Sequence, residues 1–304
     1  MRILITGGRG FIGSALCAYF IKKGEQVSVL TRNMNASSNL PKEIKFMDTL
    51  DPECDAFDVI INLAGEPLAK KRWNLAVKEV IFDSRVKTTQ NLVDYIRLAK
   101  HRPSVLLSGS AIGFYGSSET AVFKEDSEPA DSGFTHQLCA AWENAALQAA
   151  ALGVRVCTLR TGIVLEKHGG ALKQMLPSFR CGLGAQLGYG KQWMSWIHLN
   201  DFVHAIDFLI QHVEISGPVN LTAPVPITHH GFVKHLAQAL HRPCFIKLPS
   251  ALVRLIFGQM ADMLLLKGQR VIPQKLEDAG FIFKFRDLHK AFKAIFLPKH
   301  TQGI

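Results

Sequence analysis

The chain has 304 residues, 48% of them hydrophobic and 20% charged, with a formal net charge of +10. Such a length and apolar content supply a sizeable packed core, as one large or two small domains, and no internal repeat or low-complexity linker interrupts it. No run of 18 apolar residues is present, and the most apolar late stretch, Leu252 to Leu266, carries Arg254 and Asp262, so no membrane partner is expected.

The basic balance points first to nucleic acid. The 35 Lys and Arg are spread along the chain, however, with Lys70-Lys71-Arg72 the one tight run and no aromatic-basic motif. The positive field is therefore read as one that draws in an anionic cofactor and an anionic small-molecule substrate. Cys17, Cys54, Cys139, Cys157, Cys181 and Cys244 form no C-x-x-C pair, and no export signal is recognised. Reduced thiols and a cytoplasmic location are expected. His198, Asp201 and His204 lack a third ligand at zinc spacing, so no metal is expected.

In chain order, Ile3 to Thr6 reads as a buried strand. A turn with Gly7, Gly10 and Gly13 follows, and Ile12, Leu16 and Phe20 recur at helical spacing. Strand, glycine turn and helix are the context of a dinucleotide fingerprint. Gly7 allows the tight turn, Gly10 a close backbone approach to a pyrophosphate, and Gly13 close helix packing. The helix start then offers free N–H groups to the phosphates. The second strand, Gln26 to Leu30, ends at Thr31-Arg32. An acidic residue there would suit a ribose 2′-hydroxyl, whereas Arg32 suits a 2′-phosphate, which selects NADP(H).

Lys45 to Met47 is a short strand, and Asp58 to Leu63 is a nearly continuous apolar run, as in a central parallel strand covered on both faces. Ala64 and Gly65 at its end leave room for a ligand. Val77 to Leu98 is one long helix, with Arg85 placed to reach a phosphate. Val105 to Leu107 leads to Ser108-Gly109-Ser110 and Tyr115; Phe134 to Leu152 is a helix and Val154 to Leu159 a strand. This alternation describes an α/β fold with a doubly wound parallel sheet.

After about residue 165 the pattern changes. A glycine-dense segment, Gly182 to Gly190, precedes Trp193, Trp196 and His198. A helix starts near Asp201, with Asn200 or Asp201 as its N-cap. Gly217 to Leu221 is a strand, and helices run from Pro249 to near Phe296 before a polar, frayed tail. We expect an NADP-binding Rossmann domain over 1–165, with helix 200–212 also packed on it. A smaller C-terminal α/β substrate domain is expected over 166–304, with a distinct block at 249–296 and the crevice between the two units.

The segments TGGRGFIG at 6–13, LTRN at 30–33, NLAGEP at 62–67, KEVIFDSR at 78–85, SGSAIGFYG at 108–116, FTHQLCAAWE at 134–143, LRTGIVL at 159–165 and WIHLNDFV at 196–203 resemble the extended short-chain dehydrogenase/reductase superfamily. More narrowly, the chain is similar to the atypical YfcH-like epimerase family, down to GQRVIPQKLEDAGF at 268–281. The resemblance implies an NADP-type cofactor on Gly7, Gly10, Phe11, Ile12, Gly13, Thr31, Arg32, Leu63, Ala64 and Gly65. Glu79, Arg85 and Val164 match further positions near it. The superfamily's catalytic Tyr and Lys stand four apart on a helix; here either Phe134 and Leu138 or Thr135 and Cys139 occupy those places. Neither pair can do that acid–base chemistry.

Ser110 or Ser108 remains to polarise a substrate oxygen, and Tyr115 is the acid/base candidate. Trp196 and His198 are candidate substrate contacts. An oxidoreductase or epimerase acting on a sugar-like or carbonyl substrate is expected, as a monomer or homodimer. The competing reading is an NADP(H)-sensing or scaffold protein that kept the cofactor site alone.

Overall fold

The computed structural model describes residues 1–34, 40–69 and 72–296. Lys70, Lys71 and the expected frayed tail lie outside them. Seven parallel strands make one sheet: β1 (Arg2–Thr6), β2 (Gln26–Leu30), β3 (Lys45–Met47), β4 (Val59–Asn62), β5 (Val105–Ala111), β6 (Arg155–Thr161) and β7 (Gly217–Leu221). Their spatial order is β7-β6-β5-β4-β1-β2-β3.

Period-two alternation explains why the central strands are apolar throughout. Ile3 and Ile5, Val59 and Ile61, and Val105 and Leu107 face one layer of helices. Leu4, Ile60 and Leu106, between them, face the other. Helices α1 (Phe11–Lys22) and α5 (Leu199–Gln211) cover the first face through Leu16, Phe20, Phe202 and Ile206. Helices α2 (Leu75–Leu98) and α3 (Phe134–Leu147) cover the second through Leu92, Ile96 and Ala146. The doubly wound α/β class follows from these two layers. The strand order reverses between β1 and β4, and a ligand crevice belongs at the carboxyl ends there.

A second core lies beside the sheet. Helices α4 (Gly170–Arg180), α6 (His229–Ala239) and α9 (Leu288–Phe296) meet through Leu172, Leu176, Phe232, Leu236 and Phe292. Two short helices, α7 (Ser250–Phe257) and α8 (Gln274–Asp278), complete the described chain.

The expected boundary at 165 needs correction, because β7 returns to the large sheet and pairs with β6 from Gly217↔Cys157 to Leu221↔Thr161. Helix α5 packs on α1, where Asp207 accepts from Tyr19 (2.8 Å) and Lys23 (2.6 Å). The C-terminal block is laced into the same unit: Asn220 Nδ2 donates to the carbonyl of Ile272 (2.9 Å), and Arg270-Val271 pairs with Val122-Phe123. A strand edge is satisfied only by its neighbour, and period alone does not reveal which neighbour that is.

Candidate functional site

The crevice begins at the turn between β1 and α1. Gly7 has φ +69°, and a Cβ on it would lie 2.6 Å from the carbonyl oxygen of Leu63. A Cβ on Gly13 would collide with the carbonyl oxygen of Gly7, so this glycine closes the turn on itself as well as seating the helix. Gly10 is exposed and caps α1 with no side-chain hydrogen bond, and no acidic residue stands in the first turn. The first N–H groups of α1 therefore face outward without a side-chain partner, at the positive end of the helix dipole. Phe11 turns its ring onto Gly169 and Gly170, which open α4, and Ile12 packs against the main core.

Past the end of β2, Thr31 is half-buried and Arg32 is exposed. A second guanidinium reaches the same strand ends. Arg9 lies 4.4 Å over the ring of Phe46 on β3, and its Nη2 donates to the carbonyl of Met34 just past β2 (3.4 Å). The sequence reading passed over Arg9; a cation inside the glycine turn is the signal that points to it.

Beneath the crevice runs a buried polar ladder. Thr6, Asn62 and Ser108 are in register across β1, β4 and β5. Thr6 Oγ1 donates to Asn62 Oδ1 (2.7 Å), and Asn62 Nδ2 donates to Thr89 Oγ1 (2.8 Å) and Ser108 Oγ (3.2 Å). Trp142 Nε1 also donates to Thr89 (2.9 Å). Ser108 is thus fully buried and spent on the ladder. Arg85 supports the loop after β4: its guanidinium sits against Gly65 and donates to the carbonyls of Ile81 (3.0 Å) and Glu66 (3.1 Å). These donors face backbone, which is a different use from the expected phosphate contact. Glu79 is exposed on α2, Leu63 and Ala64 are half-buried at the strand end, and the Val164 side chain lies in the main core.

The register of α3 turns the two candidate pairs to different sides. Phe134 and Leu138 pack away with Trp73 and Met260. Thr135 and Cys139 instead face Gly113, beside Ser110. One turn further, Glu143 accepts a hydrogen bond from the Ser110 hydroxyl, with Oγ to Oε1 2.6 Å. Arg160 on β6 holds Glu143 through both carboxylate oxygens (2.9 Å each), and all three side chains are buried. Arg160 also lies 3.4 Å over the Phe114 ring and donates to the Tyr115 hydroxyl (3.0 Å). Tyr115 then donates to Asn220 Oδ1 (2.7 Å).

Tyr115 is completely buried, so its hydroxyl has a partner on each side and no exposed path, and burial pushes its pKa up to about 12. Burial likewise raises the Cys139 thiol to about 11, which makes it a poor nucleophile. Glu143 and Arg160 escaped the sequence reading. They are 17 residues apart, and only the pairing of β5 with β6 brings Arg160 opposite Ser110.

Two expected substrate contacts are corrected. Trp196 is fully buried in the second core, with Nε1 donating to the carbonyl of Val225 (3.2 Å). His198 is the N-cap of α5, where Nδ1 accepts from the Asn200 N–H (3.0 Å). Its ring packs 4.0 Å from Phe285, and burial followed by the nearby Lys284 lowers its pKa to about 4. Asn200 and Asp201 are therefore not the cap; Asp201 instead accepts the backbone N–H groups of Lys284 and Phe285. Among the described residues, no group of three or more His, Cys, Asp or Glu is arranged to hold a metal ion.

The model of the NAD dependent epimerase/dehydratase family matches residues 3–221. The chain belongs to that family. Residues 248–295 match a domain of unknown function (DUF1731). "Epimerase family protein Mb2239" of Mycobacterium bovis is 40% identical over 290 residues, 95% of each chain. "Epimerase family protein SAR0825" of Staphylococcus aureus is 38% identical over 295 residues, 95% of this chain and 97% of that one. Among solved structures, human epimerase family protein SDR39U1 with NADPH superposes at TM-score 0.88 and 33% identity, covering 97% of this chain and 99% of that one. A UDP-galactose 4-epimerase matches at TM-score 0.74 and 20% identity, which speaks to the fold alone.

Proposed function

We propose that the protein binds NADP(H) and acts as an oxidoreductase or epimerase on a small sugar-like or carbonyl substrate in the crevice over β4 and β5. The observation that carries this is the cation pair at the ribose end. Arg9 extends across the ends of β2 and β3, Arg32 is exposed beside them, and the open start of α1 lies next to the glycine turn. Two guanidinium groups with bidentate geometry suit a 2′-phosphate better than a 2′-hydroxyl. The human neighbour solved with NADPH supports the same choice. A bound nicotinamide supplies hydride exchange at its ring carbon.

The chain's own groups then orient the substrate. The Ser110 hydroxyl donates its one hydrogen bond to Glu143, so its oxygen meets a ligand as an acceptor, as from a substrate hydroxyl. Polarising a carbonyl would first require breaking that bond. Tyr115 is assigned a positioning role through Arg160 instead of an acid/base one.

A second reading, cofactor sensing without turnover, is favoured by one observation: neither Phe134 with Leu138 nor Thr135 with Cys139 can supply the Tyr and Lys chemistry. Fluorescence titration with NADPH and NADH tests the cofactor. NADPH should bind at least about tenfold tighter than NADH, the equivalent of one charge-assisted contact. Arg32→Glu should erase that preference, and equal affinities in the unaltered protein would sink the NADP(H) assignment. A carbonyl and sugar-nucleotide screen then separates the readings. Turnover that falls in Ser110→Ala while NADPH binding holds supports the enzyme; no turnover from any substrate supports the sensor.

A further inference from the structure

One edge of the molecule is left without a task by the cofactor crevice. The strand Ile246–Leu248 pairs in parallel with Ala185–Leu187. At one end Arg242 Nε donates to the carbonyl of Arg180 (2.9 Å), and at the other the Gly188 N–H donates to the carbonyl of Leu248 (2.9 Å). Residues 180–191 and 242–256 therefore lie side by side.

Large apolar side chains stand out along this edge. Tyr189 is 89% exposed, Phe245 88% and Leu255 72%, with Leu252 and Ile256 also exposed. Leu252, Leu255 and Ile256 follow the i, i+3, i+4 spacing of one helix face, while Val253 of the same helix is buried. Several large apolar side chains left exposed on two paired segments point to a contact surface.

The charges within these two segments have one sign. Arg180, Lys191, Arg242, Lys247 and Arg254 are exposed, and neither segment contains an Asp or Glu. The nearest acid in sequence, Asp262, is already paired with Arg254 (3.0 Å). Arg72, last in the sequence's one tight basic run, donates to the carbonyl of Leu255 (3.0 Å), so the cationic border continues past the end of α7. Apolar side chains bordered by cations suit a surface that offers hydrocarbon below a layer of anions. A second copy of this chain would instead press like charges together.

We propose that the edge formed by residues 180–191 and 242–256 docks on the surface of an anionic lipid bilayer. This assigns a task to the start of the domain of unknown function. It departs from the expectation of no membrane partner, which rested on the lack of a spanning segment; a helix lying in the interface needs none. It is independent of the cofactor assignment.

The test is co-sedimentation of the full chain with vesicles of phosphatidylcholine and phosphatidylglycerol in equal parts, and of phosphatidylcholine alone. Binding is expected to the anionic vesicles only and to weaken as salt rises. Lys247→Glu and the double variant Leu255→Ser/Ile256→Ser change exposed side chains and should keep the unfolding midpoint. Each should weaken binding by about fivefold or more, since one basic residue near such a surface contributes about that factor. The proposal is overturned if the unaltered protein ignores anionic vesicles, or if both variants bind as well as it does. It is also overturned if sedimentation equilibrium detects self-association that the double variant abolishes, which would give this edge to a second copy.

Discussion

The two ends of the crevice are built on opposite plans. The end at the glycine turn is local and open: Gly7, Gly10 and Gly13 lie within one turn, and the start of α1 faces out uncapped by any side chain. The end at Ser110 is assembled from distant chain and closed: Ser110, Glu143, Arg160, Tyr115 and Asn220 come from five separate elements and leave little surface. The open end is shaped to receive a ligand. The closed end has its polar groups already matched to one another, so it resists change in place of responding to it. Cofactor binding and fold stability should accordingly respond to different substitutions.

The sharpest way to break that separation is Gly13→Ala. Its Cβ would meet the Gly7 carbonyl, so the turn must open; we expect NADPH binding to vanish in a fluorescence titration and stability to fall by about 3 kcal/mol. If binding persists, the glycine turn is not the cofactor seat. At the closed end, Arg160→Met leaves Glu143 buried without its cation and should cost about 3–5 kcal/mol in urea unfolding. Pairing it with Glu143→Leu should recover much of that loss, because the uncompensated charge is removed. A double variant as unstable as the single one would mean that packing, not charge, dominates there.

Acid should act on the fold through other groups. Burial holds His198 and His229 at about 4, below the usual histidine value of 6.5. Between those values the unfolded chain binds protons that the native chain refuses, so stability should fall as pH drops from about 6.5 to 4. Each histidine can contribute up to about 3 kcal/mol of that loss, by the usual conversion of about 1.4 kcal/mol per pKa unit. Thermal unfolding across this range checks it, and His198→Asn, which keeps an N-cap acceptor, should flatten the curve. The smallest effect is expected from Tyr115→Phe: about 1–2 kcal/mol of stability from two lost hydrogen-bond partners, with NADPH affinity unchanged. Unchanged stability together with lost turnover would restore Tyr115 as the acid/base group.

What could be read from the residues follows the same division. The β1 turn and the apolar runs of the central strands are legible because each depends on neighbours in sequence. Arg160 looked like one more residue after a strand, and Glu143 like a helix position, because their partnership exists only once β5 and β6 pair. Gly217 to Leu221 was recognisable as a strand, but its place in the sheet was not, since nothing local distinguishes the edge it joins. Trp196 and His198 were drawn toward the substrate by residue type. Trp196 donates to Val225 and His198 packs on Phe285, partners that no local pattern points to. Arg9 stands within the fingerprint itself, so its nearness to β2 and β3 is a local consequence of the turn.

The return of β7 also bears on how the chain is made. During synthesis β6 emerges with its outer edge bare, and its partner follows only after residue 216. Arg155 on that strand waits as long for the carbonyls of Leu209 and Ile215. Until then a nascent chain carries an unpaired, apolar strand edge open to any other strand nearby. Ending the chain before Gly217 would make that transient permanent. A piece cut after β6 is therefore not one that can be borrowed: its sheet is finished by residues that the ribosome delivers late.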